Sequence, residues 1–131
     1  MTAKSHSDRL KKMAKQTARE VTRALYLIGQ QVELEAERSI TTGSVSGKGH
    51  VPSLPGEPPN RDTGVLDSNI ETTVVAQSPP TVHVTSHAPY SAFLEFGTSK
   101  MAARPFLSPA VKKFRGKIPA EISVAIKKIT R

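Results

Sequence analysis

The sequence predicts an α+β fold with a long N-terminal helix, a small antiparallel β-hairpin, a short helix and a kinked C-terminal helix. Three observations support this fold class. No proline occurs before Pro52, and apolar residues in that first third recur at steps of three and four, as on one face of an amphipathic helix. Two segments rich in β-branched residues then flank Pro79 and Pro80, which is typical of a hairpin. Beyond Pro105 the helical spacing returns.

The first helix is predicted to span residues 7–41, with Ser7 as N-cap and Asp8 in the first turn, where the helix dipole favours an acid. Its apolar or small stripe comprises Leu10, Met13, Ala14, Thr17, Val21, Ala24, Leu25, Ile28, Val32, Ala36 and Ile40. A helix of this length is roughly 50 Å long at ~1.5 Å per residue. That exceeds what a small domain covers, so we expect part of the stripe to pack on a neighbouring chain. Two helices broken near Gly29 are the alternative.

Residues 43–62 are predicted to form a long loop, Gly/Ser-rich and flexible in its first half and Pro-rich and stiff in its second. Structureless loops of this length are uncommon inside compact domains and tend to be functional or disordered. A short helical turn over residues 63–66 follows, capped by Asp62 or Thr63.

The hairpin is predicted from Ile70–Gln77 and from the alternating segment Thr81–Thr85. Because proline cannot donate to a strand ladder, Pro79 and Pro80 are assigned to the connection.

A short helix is predicted over Tyr90–Phe96, with Gly97 as the residue that ends it. Pro105 is predicted to be the first residue of the last helix. The apolar stripe of that helix is Leu107, Val111, Phe114, Ile118, Ile122, Ala125 and Ile129. Gly116 and Pro119 interrupt it without changing its phase, which favours one kinked helix over two separate helices.

The composition predicts one domain, residues 1–131, with a thin core. Leu, Ile, Val and Phe together account for thirty of the 131 residues, about 23%. This fraction is only slightly above the roughly 20% below which highly charged chains tend to be disordered. Such a chain is a candidate for stabilisation by partner subunits. The chain has no cysteine, which excludes disulfides, thiolate metal sites and a cysteine nucleophile. It has no apolar run near the ~20 residues that span a bilayer and no secretory signal. We therefore expect synthesis in the cytoplasm and no membrane partner.

The positive charge is concentrated near the C-terminus. Residues 100–131 hold nine basic residues and one acidic residue, a net charge of +8 that equals the charge of the whole chain. The residues that could contact DNA phosphates or an acidic partner are Lys112, Lys113, Arg115, Lys117, Lys127 and Lys128. A non-specific DNA-binding module is therefore the alternative function. The simplest alternative is a solvated basic face, because Phe106 and Phe114, the aromatic residues of this segment, fall on or near the apolar stripe.

The sequence predicts no catalytic residues, no metal site and no cofactor, and therefore no enzyme. Its carboxylates are scattered, whereas acid–base catalysis needs a placed pair. Glu95 stands out because it lies in the otherwise apolar run Phe93–Phe96. We predict that it is a buried structural acceptor for loop N–H groups, or for a nearby cation such as Lys100 or Arg104.

Four segments carry a family resemblance, in this order: residues 55–59 (Pro-Gly-Glu-Pro-Pro), 62–66 (Asp-Thr-Gly-Val-Leu), 90–98 (Tyr-Ser-Ala-Phe-Leu-Glu-Phe-Gly-Thr) and 103–110 (Ala-Arg-Pro-Phe-Leu-Ser-Pro-Ala). The combination resembles the neck proteins (head–tail joining, or tail-completion) of long-tailed, lambdoid-type bacteriophages, related to the minor tail protein Z group. The resemblance extends over nearly the whole chain.

The resemblance implies a structural virion protein of the head–tail junction. Such proteins are α+β subunits of a ring, for which six-fold symmetry is favoured and twelve-fold symmetry is the alternative. The implied partners are head-closure or adaptor proteins, the tail terminator and tail tube proteins, with transient contact to genome DNA.

The resemblance also assigns structural roles. The motif residues are Gly64, Leu66, Tyr90, Phe93, Glu95, Phe96, Gly97, Thr98, Pro105 and Phe106. Tyr90, Phe93, Phe96 and Phe106 are expected to form an aromatic core that joins helix and hairpin. Gly97 is expected at positive φ, Glu95 is expected to hold the turn that follows it, and Pro105 is expected to start the last helix. The inter-subunit loop is assigned to Pro55, Gly56, Glu57, Pro58 and Pro59.

Overall fold

The structure, a computed structural model, describes residues 2–41, 69–100 and 102–130. The elements follow in the order α1 (Ala3–Thr41), β1 (Ile70–Gln77), β2 (Pro80–Ser86), α2 (Ser91–Phe96), α3 (Leu107–Arg115) and α4 (Ile118–Thr130). The predicted α+β class is confirmed. No helix within the described ranges is both long and apolar enough to cross a membrane.

Helix α1 is one continuous helix of 39 residues, so the alternative of a break near Gly29 is wrong. The predicted N-terminus is also wrong. The Thr2 hydroxyl accepts a hydrogen bond from the Ser5 N–H at 3.2 Å, and the helix begins at Ala3, which leaves Ser7 and Asp8 beyond the first turn. A threonine at the N-cap satisfies an otherwise free N–H in the same way as the predicted serine.

Gly29 marks a close approach between α1 and the hairpin. A Cβ atom at this position would lie 2.7 Å from Thr72 Cγ2 and 3.2 Å from Val82 Cγ1. One helical turn later, the Thr72 hydroxyl donates to Glu33 Oε2 at 2.7 Å. The glycine therefore allows the hairpin to lie directly on the helix rather than interrupting it.

The hairpin is antiparallel, with Ile70 opposite Ser86, Thr72 opposite Val84 and Gln77 opposite Pro80. The assignment of Pro80 to the connection is wrong, because β2 begins at this residue. The first residue of a strand need not donate to the ladder, so proline is tolerated there. The connection is Ser78 and Pro79, joined by a cis peptide bond. The sheet of the described residues contains these two strands.

The core lies where the C-terminal half of α1, the start of the hairpin and the start of α3 meet. It consists of Val32, Ala36, Ile40, Ile70, Ala88, Phe106 and Ala110. Phe106 and Ile40 are its largest fully buried side chains. Within the described residues, three of the seven members of this core are alanines.

The C-terminal segment forms two helices, so the prediction of one kinked helix is wrong. Pro119 is the second residue of α4. It has no N–H to donate to the Arg115 carbonyl, and its ring would clash with that carbonyl in a continuous helix. The chain turns at Gly116 and Lys117, with the Lys117 N–H donating to Phe114 O at 3.0 Å. Proline fits well in the first turn of the new helix.

Pro105 does not begin the last helix as predicted. Helix α3 begins at Leu107, with Phe106 as the N-cap residue. The N–H groups at the start of α3 are bound by the carboxylate of Glu95 from α2.

Helices α3 and α4 together run antiparallel to α1. Lys113 Nζ lies 3.1 Å from Glu35 Oε1, and fifteen residues later Lys128 lies beside Gln16 and Arg19. At the N-terminal end of α1, every side chain from Thr2 to Lys12 is exposed. The expectation that this arm packs on a neighbouring chain remains a prediction.

Candidate functional site

Helix α2 has an unusual distribution of buried and exposed side chains. Its acidic residue, Glu95, is buried, whereas Phe93 is 57% exposed and Phe96 is 79% exposed. Tyr90, just before the helix, is 40% exposed. Since apolar side chains are normally the buried ones, this helix requires a separate explanation for its acid and for its aromatic residues.

The Glu95 carboxylate is buried because it binds the start of α3. Its Oε2 accepts the N–H groups of Phe106 at 2.8 Å and Leu107 at 3.0 Å. Its Oε1 accepts the N–H of Ser108 at 2.8 Å and also the Ser108 hydroxyl. The first N–H groups of a helix have no partner within the helix, and the helix dipole is positive at this end. Glu95, a residue of α2, therefore caps the N-terminus of α3.

The same contacts set the pKa of Glu95. Burial alone raises the pKa of this carboxyl, because it disfavours the charged form. The hydrogen bonds from the Ser108 hydroxyl and from the N–H groups of Leu107, Phe106 and Ser108 outweigh burial and hold the pKa below its ordinary value of 4.5. The carboxyl is therefore ionised at neutral pH and acts as a fixed anion at the helix N-terminus.

Gly97 brings the chain back toward Glu95. Its φ is 76° and its ψ is 177°, and its N–H donates to Phe93 O at 2.8 Å. Only glycine adopts this backbone conformation without strain. The loop then returns along α2, where the Arg104 N–H donates to Leu94 O at 2.6 Å. Thr98 lies within this loop, and its hydroxyl accepts the Lys100 N–H at 3.2 Å.

The predicted aromatic core is wrong for three of its four members. Phe106 is 1% exposed and lies in the core, whereas Tyr90, Phe93 and Phe96 point to solvent. A six-residue helix buries one side, and in α2 that side is taken by Leu94, which packs on the core, and by Glu95. We call Tyr90, Phe93 and Phe96 the α2 aromatic surface.

A groove of about 490 Å³ lies between β2, α2 and α3. We call it the β2–α3 groove; its lining includes Val84, Thr85, Ser86, Phe96, Phe106, Val111, Lys112 and Arg115. The groove brings together residues that the sequence singled out separately, namely two of the four motif aromatics and two of the C-terminal cations.

The remaining predicted cations do not join them. Lys113 pairs with Glu35, and Lys117 Nζ lies 4.9 Å from the centre of the Phe114 ring. Lys128 lies beside Arg19 at the far end of α4, one residue after Lys127. The C-terminal charge is therefore divided among separate surfaces.

Several residues of the site were missed by sequence reasoning. Ser108 lies in a motif segment and Val111 in a predicted apolar stripe. The sequence did not indicate that Ser108 binds Glu95 or that Val111 lines a groove, because these contacts depend on where α2 and β2 are placed. Gly29 had a signal, a glycine inside a helical pattern, which indicates close packing as well as a break. The assigned residues Gly64 and Leu66 and the loop Pro55, Gly56, Glu57, Pro58 and Pro59 lie outside the described residues. Across the described ranges no group of three or more acidic or histidine side chains could hold a metal ion.

The sequence model of the HK97-gp10-like family, described as "Bacteriophage HK97-gp10, putative tail-component", matches residues 4–97. This match covers more than half of the chain, and the chain belongs to this family of phage tail components. The predicted resemblance to a phage tail or neck family is confirmed at that level. No curated protein and no solved structure matches the chain significantly. The matched region ends at Gly97, so α3, α4 and all of the C-terminal cations lie beyond it.

Proposed function

We propose that this chain is a non-enzymatic ring subunit of the phage head–tail junction, completing the connection between the portal or head-closure complex and the tail tube. Membership of a phage tail-component family supports the general class. The observation that carries the ring is the α2 aromatic surface, since exposed apolar side chains that are grouped together mark protein–protein contact sites and aromatic residues are enriched at such sites.

Covering Phe93 and Phe96 would remove large apolar areas from water at about 25 cal/mol per Å². Both phenyl side chains are on a helix that Glu95 and Gly97 hold in place, so little backbone conformational entropy is lost when a neighbouring subunit covers them. Together with the exposed N-terminal part of α1, residues 2–12, this surface supports a subunit whose exposed apolar side chains become buried on assembly.

A closed ring requires two different surfaces on each subunit, because its contacts are head-to-tail. We propose Leu27 and Leu34 of α1 as part of the second surface. They are 53% and 46% exposed, and a spacing of seven residues places them on one face of the helix. Six-fold symmetry is favoured, with twelve-fold symmetry as the alternative.

The proposed location is the virion, with head-closure or adaptor proteins on one side of the ring and the tail terminator and tube proteins on the other. The loop Pro55–Pro59 is proposed to reach a neighbouring subunit. The chain is proposed to act as one domain, residues 1–131.

The alternative function, non-specific DNA binding through the C-terminal cations, has weaker support because those cations are divided among surfaces. A gel shift at about 50 and 200 mM salt tests it, since phosphate contacts lose affinity steeply with salt. Absence of binding at the lower salt concentration would eliminate this alternative.

Electron microscopy of particles made without this chain tests the proposal. Full heads and finished tails that remain unjoined, or tails with unstable ends, are expected, and supplying the wild-type chain should restore joining. Normal infectious virions in the absence of the chain would refute it. A chain with Phe93→Ser and Phe96→Ser should fold but fail to restore joining, whereas a matched exposed change, Val124→Ser with Ile126→Ser, should restore it.

A further inference from the structure

Strand β2 has an open backbone edge. The His87 N–H donates to Asn69 O at 2.8 Å. This hydrogen bond shows which residues of β2 direct their backbone N–H and C=O groups toward β1. Because these groups alternate along an antiparallel strand, the N–H and C=O groups of Val84 and Ser86 point away from β1. In the described part of the chain, β1 is the only strand paired with β2.

This open edge faces the β2–α3 groove. Val84, Thr85 and Ser86 all line the groove. Side chains of consecutive strand residues alternate between the two faces of a sheet, so a groove lined by three in a row runs along the edge. The Ser86 Oγ is buried and has no hydrogen-bond partner, which is costly for a buried hydroxyl.

The walls of the groove define the chemistry of its occupant. Phe96, Phe106 and Val111 supply apolar contacts, and Lys112 and Arg115 supply positive charge. The acid that lines the groove, Glu95, already accepts four hydrogen bonds from α3. The positive charges of Lys112 and Arg115 are therefore not neutralised by the carboxylate that lines the groove.

We propose that the β2–α3 groove binds an extended, acidic segment of a different protein, which adds to β2 as a third strand. Main-chain hydrogen bonds to the edge provide affinity in this mode, and pockets for alternate side chains provide specificity. Apolar side chains of the segment contact Phe96 and Val111, while its carboxylates meet Lys112 and Arg115.

A second copy of this chain is a poorer occupant. The cations of the groove attract carboxylates, and Glu71 is the one acidic residue that β1 and β2 of another copy could bring to it. The two described strands are already paired with each other. The inference does not depend on the ring, because the edge of β2, Lys112 and Arg115 are not among the proposed subunit contacts. Phe96, which also belongs to the α2 aromatic surface, is the one residue that both proposals use.

Nuclear magnetic resonance of the full chain with a model peptide tests the inference. The probe is an acetylated and amidated octapeptide, Glu-Val-Thr-Val-Glu-Val-Thr-Glu, added up to about 5 mM to detect a Kd of about 1 mM. The expected result is a shift of the Val84 and Ser86 amide signals, with slower hydrogen exchange at both. No shift at these amides over this range would overturn the proposal.

Three further probes separate the alternatives. A peptide with lysine in place of each glutamate should bind at least about tenfold more weakly. An acidic helical peptide and a short DNA duplex should leave the Val84 and Ser86 amides unprotected. Equal binding of the lysine peptide, or protection of these amides by the helix or the duplex instead, would contradict a docked acidic strand.

Charge-matched variants test the groove itself. Lys112→Glu with Arg115→Glu should weaken peptide binding at least about tenfold. Lys127→Glu with Lys128→Glu makes the same change in net charge at the far end of α4 and should alter binding by less than about twofold. Equal losses in the two variants would show that only the overall charge attracts the peptide, and would overturn the site.

Discussion

Glu95 and Ser108 are joined by two hydrogen bonds, one from the Ser108 N–H and one from its hydroxyl, both to Oε1 of the carboxylate. The other carboxylate oxygen binds the N–H groups of Phe106 and Leu107. One side chain of α2 thus fixes the start of α3. This connection holds α2 in place, and with it the exposed aromatic rings and one wall of the groove.

Replacing Glu95 should destabilise the fold. Glu95→Ala leaves the N–H groups of Phe106, Leu107 and Ser108 without their acceptor in a buried place, at a cost of roughly 2–4 kcal/mol. The melting temperature should fall by roughly 5–15 °C, as measured by circular dichroism. Glu121→Ala, an exposed acid in the first turn of α4, is the matched control and should cost less than about 1 kcal/mol. Equal melting temperatures for wild type and Glu95→Ala would contradict the capping role.

The contribution of Glu95 should depend on pH. Its pKa is lower in the folded chain than the ordinary value of 4.5, so the unfolded chain binds more protons between the two values, and stability rises with pH there. The stabilisation is fully present above the unfolded pKa and is lost as the pH falls through the folded pKa. The difference in unfolding free energy between wild type and Glu95→Gln should therefore be constant near neutral pH and shrink below about pH 4.5. A difference that grows on acidification would show the opposite shift.

Two glycines should respond in opposite ways to the same substitution. Gly97→Ala forces a side chain into a positive-φ conformation and should cost about 1–3 kcal/mol, with Gly97→Val worse. Gly116 has φ −65°, and nothing lies within 4 Å of a Cβ placed there. Gly116→Ala should therefore stabilise the chain by about 0.4–1 kcal/mol. Thermal unfolding of both variants checks this, and a tolerated Gly97→Ala would argue against the assigned turn.

Gly29→Ala should destabilise the chain although alanine favours helices. The added methyl group would lie 2.7 Å from Thr72 Cγ2, and Thr72 cannot rotate away without losing its hydrogen bond to Glu33. Overpacking of this kind costs about 1–3 kcal/mol, against a gain of about 1 kcal/mol in helix propensity. Denaturant unfolding measures the net effect. Gln30→Ala, at the exposed neighbouring position, is the control and should be neutral or slightly stabilising.

Local patterns predicted the elements well and their contacts poorly. The strand Ile70–Gln77 and the end of α2 at Gly97 follow from β-branched runs and glycine chemistry, which depend on neighbouring residues. The burial of Glu95 was predicted from its apolar surroundings, but its partners were not, because they lie eleven to thirteen residues along the chain.

The exposure of Phe93 and Phe96 was missed for a different reason. An apolar run is normally read as core, since burial is the usual fate of such side chains. An apolar run that lies on a surface has the same sequence pattern as one in the core. Only the position of α2 against α3 shows that these side chains are on the surface. The first residue of α3 was mispredicted for a related reason. Proline is favourable at the start of a helix, so the local sequence indicated Pro105, but the carboxylate of Glu95 binds the N–H groups of the residues that follow it.

A cryo-electron microscopy reconstruction of the virion head–tail junction would show whether this chain forms the proposed ring. We expect a ring at the junction into which this fold can be placed, with Phe93 and Phe96 of each subunit covered by the neighbouring subunit. A junction whose density is fully explained by other proteins would contradict this proposal. A subunit ring in which the side chains of Phe93 and Phe96 remain exposed to solvent would contradict it as well.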